Sequence, residues 1–131
     1  MTYDFEVSGT VPAKCEDVYR AWLSSEGHTA MTGGDAVIDP RVGGHFTAWG
    51  PYIAGTTLEL EPFHRIVQSW RTEQFTEADE DSQIEVTFEP VGDETLVRIR
   101  HSNVPSEHRG YEDGGWQKSY LGPMRDYFSS R

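Results

Sequence analysis

The stretch Pro105–Arg131, PSEHRGYEDGGWQKSYLGPMRDYFSSR, is the longest run in the chain that reads as one helix, and where it lies decides the fold. Trp116, Tyr120, Met124 and Phe128 recur every fourth residue, and Leu121 and Tyr127 widen the same stripe, the signature of one apolar face on a 3.6-residue period. From Ser106 to Ser129 such a helix would reach roughly 33–36 Å, about the width of a small domain, so it can cross a whole sheet. Gly114-Gly115 weakens it near its start, and Pro123 removes a backbone donor and is expected to bend it. The glycines would also let the backbone come close to a strand or a ligand.

A sheet for the helix to lie on is legible upstream. Tyr3, Phe5 and Val7 alternate with Asp4, Glu6 and Ser8, a strand with one buried face. Pro12 opens a helix to about Ser24, with Val18, Tyr19, Trp22 and Leu23 on one side and Glu16 and Asp17 in its first turn. A short second helix over Glu26–Met31 stops at Gly33-Gly34. Extended segments follow at Ala36–Ile38, His45–Trp49, Tyr52–Glu61 and Arg65–Arg71. In the Tyr52–Glu61 segment the alternation predicts Ala54, Thr56, Leu58 and Leu60 facing inward, and in the next, Ile66, Gln68 and Trp70.

The acidic run Thr72–Gln83 reads as a solvated connection. After it, Ile84, Val86 and Phe88 alternate up to the turn Val91-Gly92-Asp93-Glu94, and the return strand points Val97, Ile99 and His101 inward and Arg98 and Arg100 to water. The pattern is an α+β one: an antiparallel meander of about six to seven strands, two short helices after strand one, and a last helix that alone is long enough to cover the sheet.

Composition narrows the function classes. With 131 residues the chain fits one domain with one core. It carries a net charge of −11, and Lys14 and Lys118 are its only lysines, which argues against a nucleic-acid partner. The acidity fits ordinary solubilising charge, the preferred reading, or adaptation to a salty cytosol, which the salt dependence of thermal stability would separate. Met1-Thr2-Tyr3-Asp4 leads straight into strand-like sequence and no apolar run approaches a membrane span, so a cytoplasmic protein without membrane insertion is expected. Cys15, the one cysteine, excludes an internal disulfide, and the histidines lack metal spacing, so neither a metal nor another cofactor is expected. Exposed sheet edges and Tyr52 suggest a homodimer.

The order of several pieces resembles a known family. Val11-Pro12-Ala13 with Val18-Tyr19-Arg20-Ala21-Trp22, Val42-Gly43-Gly44-His45-Phe46, Gly55 through Pro62, Arg65–Arg71, Arg98–Ser102 and Gly115-Trp116 with Tyr120-Leu121 are similar to the START-like (SRPBCC) helix-grip superfamily, in particular its branch like the C-terminal domain of the activator of Hsp90 ATPase. That resemblance implies a curved sheet wrapped around the C-terminal helix and a cavity of the kind that relatives use for lipids, polyketides and other apolar molecules. Trp49, Leu58, Gln68, Trp70, Phe88, Ile99, His101, Trp116, Tyr120 and Met124 are the expected lining.

His101 is the first candidate for polar recognition, while His28, His64 and His108 are read as solvated turn residues. No nucleophile elbow or phosphate-binding glycine loop occurs. The expected function is small-molecule binding without catalysis. The alternatives are a chaperone-interaction module and a cyclase-like or hydrolase-like enzyme using His101 with Tyr120 or Tyr111.

Overall fold

The computed structural model describes residues 1–108 and 111–130. Seven strands form one antiparallel sheet: β1 (Thr2–Val11), β2 (Val37–Ile38), β3 (His45–Ala48), β4 (Ile53–Glu61), β5 (Arg65–Thr72), β6 (Ser82–Val91) and β7 (Glu94–Pro105), in the spatial order β1-β7-β6-β5-β4-β3-β2. Only the step from β1 to β7 is non-sequential, and it is bridged by helices α1 (Cys15–Leu23) and α2 (Ser25–Thr32) and the meander itself. The sheet curls around the C-terminal helix, so the fold is the α+β helix-grip arrangement that the sequence suggests.

Local chemistry sets the element ends. Glu16 and Asp17 sit at the positive end of α1, which buries Val18, Tyr19, Trp22 and Leu23. Ser24 Oγ accepts the Gly27 N–H at 3.1 Å and starts α2, and Gly33, at φ 85°, ends it in a left-handed cap. On β7, Val97, Ile99 and His101 are buried and Arg98 and Arg100 exposed, and the phase carries across to Val86 opposite Ile99 and Ile84 opposite His101.

Three expectations need correction. Leu58 is 42% exposed, because β4 carries a bulge between Thr57 and Glu59 that flips its phase: Ile53 and Thr57 face inward instead. The connection between β5 and β6 keeps its carboxylates outside but buries Phe75 edge-on against Trp70, with the Arg71 guanidinium over the Phe75 ring.

The third correction concerns the C-terminal helix, which is not uniformly wound. A 3₁₀ turn (Ser106–His108) precedes wide, i→i+5 turns over Tyr111–Gly115 and Gln117–Leu121, and regular α3 runs Gly122–Ser129. The Gly122 N–H bonds the Gln117 carbonyl five residues back, so Pro123 falls in the first turn of α3, where a missing donor is harmless. The apolar stripe survives this winding: Trp116, Tyr120, Leu121 and Met124 are all buried on the concave face. Gln117 Nε2 and Arg125 Nε also reach over β1 and donate to the Ser8 and Thr10 carbonyls at 3.3 and 3.2 Å.

Candidate functional site

Where the wide-turn helix crosses the open end of the sheet, a cleft of about 450 Å³ remains, lined by Trp49, Tyr52, Ile53, Trp70, Tyr111, Gly115, Trp116, Ser119 and Tyr120. Its walls are ring faces and edges. Trp70 meets Trp116 at 5.5 Å between centroids and Tyr111 edge-on at 5.2 Å, and Trp116 meets Tyr120 at 5.0 Å. A second hollow of about 520 Å³, between the start of α1 and the end of α3, has charged side chains, Lys14, Asp17, Arg20 and Asp93, among its walls. The aromatic cleft is the one with the makings of a small-molecule site.

Trp49 forms the mouth. It sits in the β3–β4 turn at φ 54°, with Gly50 beside it at φ 68°, a left-handed conformation that costs a non-glycine residue about 1–2 kcal/mol. Gly34 makes room for it: a Cβ on Gly34 would lie 2.4 Å from the indole ring. The indole is thus pressed against the α2–β2 loop on one side and open to the cleft on the other, at 36% exposure.

Two buried polar chains brace the floor. His28 Nδ1 lies 2.8 Å from the Trp22 carbonyl, which can only accept, so Nδ1 carries the proton and Nε2 accepts from the Tyr120 hydroxyl at 2.7 Å. Burial holds the His28 pKa below its ordinary value of 6.5, partly opposed by that backbone hydrogen bond, and burial pushes the Tyr120 phenol well up. Trp22 Nε1 donates to Gln68 Oε1 at 3.2 Å, and Gln68 Nε2 donates to Thr57 Oγ1 at 3.2 Å. In the second chain Ser82 Oγ gives its one hydrogen to the Trp70 carbonyl at 2.6 Å and so accepts from His101 Nε2 at 2.8 Å. Trp116 Nε1 donates to His101 Nδ1 at 3.2 Å. The first chain fixes the Tyr120 ring and the second the indole of Trp116.

Of the residues expected to line a cavity, Trp49, Trp70, Trp116 and Tyr120 do so. Gln68, Phe88, Ile99, His101 and Met124 are buried behind the wall, and Leu58 lies outside. His101 is fully buried with both ring nitrogens engaged, so it orients the wall. His28, read as a solvated turn residue, is 1% exposed in the core; His64 is exposed, and the side chain of His108 falls outside the described residues. Tyr52, Ile53 and Ser119 line the cleft without having been anticipated, and Tyr111, which the sequence offered only as a partner of His101 in the enzymatic alternative, lines it too. Tyr111 could have been found by carrying the helical stripe back five residues from Trp116, and Ser119 by widening it to the position three after Trp116; nothing in the sequence marks the bulge that sets the phase of β4.

Among the described residues no cluster of His, Cys, Asp and Glu side chains could hold a metal ion, and no helix is long and apolar enough to cross a membrane. Among the described residues no imidazole or carboxylate lines the cleft.

Comparison with known proteins adds kinship to this geometry. The family described as "Activator of Hsp90 ATPase homolog 1-like protein" matches residues 12–129. Among curated proteins, an activator of 90 kDa heat shock protein ATPase homolog from Dictyostelium discoideum is 29% identical over 86% of this chain and 30% of its own length. The human activator of 90 kDa heat shock protein ATPase homolog 1 is 26% identical over 86% of this chain and 33% of its own length, so the chain spans about a third of these relatives. Among solved structures, an HSP90 activator from Plasmodium falciparum superposes with a TM-score of 0.84 at 24% identity, covering 97% of this chain and 96% of that one. CalU16 from Micromonospora echinospora superposes with a TM-score of 0.79 at 23% identity, covering 98% and 77%.

Proposed function

Taking as premise that the chain belongs to the activator of Hsp90 ATPase homolog 1-like family, we propose that it is a small-molecule binding protein, holding an apolar, aromatic-compatible ligand between the sheet and the C-terminal helix. The observation that carries this reading is the cleft itself: about 450 Å³, walled by Trp49, Trp70, Trp116 and Tyr120, of which Trp116 and Tyr120 are held in place by buried side-chain hydrogen bonds that a merely space-filling core would not require. That none of the described lining residues carries an imidazole or a carboxylate favours binding over cyclase or hydrolase chemistry.

Thermal-shift screening against lipids, flavonoids and polyketides tests it. A ligand at a hundred times its Kd stabilises the folded state by about 2.7 kcal/mol, and Ser119→Phe, which fills the cleft, is expected to abolish the shift. Stabilisation that persists in Ser119→Phe would place the ligand elsewhere and sink the proposal.

Kinship favours a second reading, a module acting on an Hsp90-type chaperone, since the curated relatives are named as activators of that ATPase. Binding to an Hsp90-family chaperone together with a raised ATPase rate would support it; a chaperone whose binding and turnover are both unaffected would dismiss it. A cytoplasmic location suits either reading.

A further inference from the structure

The walls of the cleft are apolar, but its rim is not, and the hydrogens there can be followed one by one. Tyr52 donates its phenolic hydrogen to Gln74 Oε1 at 2.9 Å, leaving the Tyr52 oxygen as an acceptor. The hydroxyl of Tyr111 neighbours that of Tyr52 and lies 3.3 Å from Thr72 Oγ1, long for an O–H···O bond, so it can be exchanged for a ligand oxygen at little loss. Thr72 Oγ1 already accepts the Gln74 N–H at 3.2 Å and keeps its own hydrogen to give to Tyr111. Burial, the largest influence on the Tyr111 phenol, raises its pKa, so that it remains a donor at neutral pH.

The Tyr111 donor and the Tyr52 acceptor face one another, and a single hydroxyl group on an aromatic ring that inserts between them exchanges their mutual contact for two hydrogen bonds: it accepts from Tyr111 and donates to Tyr52. A carboxylate would satisfy Tyr111 but meet a lone pair at Tyr52. None of the described lining residues is charged, and the chain as a whole carries −11. An anion would enter with no cation among the described lining residues to offset its desolvation.

We infer that the ligand is a neutral, flat, aromatic molecule bearing a phenolic or enolic hydroxyl, which stacks between Trp49 and the Trp70–Trp116 wall and lodges its hydroxyl between Tyr52 and Tyr111, fatty acids and other anions being rejected. This rests on the ligand-binding reading above and specifies its chemistry.

Four probes separate the possibilities: 2-naphthol, naphthalene, 2-naphthoate and dodecanoate, each titrated into the whole chain while the indole N–H resonances of Trp49, Trp70 and Trp116 are followed. The expected result is that 2-naphthol binds about tenfold more tightly than naphthalene, the difference a well-made hydrogen bond gives, and more tightly than either anion. Tyr111→Phe, and independently Tyr52→Phe, should bring the naphthol-to-naphthalene ratio close to one. Equal affinities in the unaltered chain, a naphthoate or dodecanoate that binds as well as naphthol, or a ratio unmoved by both variants would overturn the assignment of ligand chemistry while leaving a binding cleft intact. Indole resonances that move with none of the four probes would overturn the cleft as a binding site as well.

Discussion

Lowering the pH from 7.5 to 5.5 is expected to cost the folded chain up to about 1.4 kcal/mol through one side chain, His28. The imidazole is 1% exposed and held as the Nδ1–H tautomer between the Trp22 carbonyl and the Tyr120 hydroxyl, and burial keeps its pKa below the ordinary 6.5. As pH falls through 6.5 the unfolded chain takes up a proton that the folded chain refuses, so the unfolded state binds more protons and stability drops with decreasing pH. The loss begins near pH 6.5 and grows by at most about 1.4 kcal/mol per pH unit until the lowered folded-state pKa is reached. At pH 7.5 the contribution is intact.

Urea denaturation at the two pH values, compared between the unaltered chain and His28→Asn, isolates this one group. Asparagine keeps an N–H for the Trp22 carbonyl but does not titrate, and the other histidines cancel in the difference. Asp39, whose pKa is lowered chiefly by a hydrogen bond from Arg41, contributes stability that is present above its ordinary value of 3.8 and lost below it, outside the window. Equal acid losses in the unaltered chain and in His28→Asn would refute the placement of a neutral, buried imidazole.

Two further substitutions probe the walls. Gly34→Ala puts a methyl 2.4 Å from the Trp49 ring, so the indole must swing away; a red-shifted Trp emission and weakened binding in the cleft are expected, with unfolding free energy lowered by about 1–3 kcal/mol, and an unchanged emission spectrum would contradict the packing. Gln68→Ala leaves the Trp22 N–H and the Thr57 hydroxyl without their shared partner in the core, at about 1–3 kcal/mol for each orphaned group, and a urea-derived loss below about 1 kcal/mol would show that the chain is not braced through Gln68.

The sheet and its cover were readable because period-two and period-3.6 patterns depend only on which side chains avoid water. Val97, Ile99 and His101 keep phase with Ile84 and Val86, and Trp116, Tyr120 and Met124 stay on one stripe even though the winding there is wide. Where the backbone departs from its regular repeat, the reading fails. The bulge after Thr57 carries Leu58 to the surface, and the wide turns of the C-terminal helix bring Tyr111 onto the cleft wall. His28 misled for a different reason: a polar residue in a short helix looks solvated until the partners that satisfy it, the Trp22 carbonyl and Tyr120, ninety-two positions away, are seen together. Long-range polar complementarity leaves no local period.

The reach of Gln117 and Arg125 across to the Ser8 and Thr10 carbonyls has a bearing on solubility. An outermost strand as long as β1 is a surface on which another molecule's backbone can add itself, and here two side chains of the final helix occupy the acceptors such a newcomer would need. A protein clipped within that helix would thus lose more than a lid on its apolar interior: it would also uncover a margin of free backbone acceptors on which other strands can add.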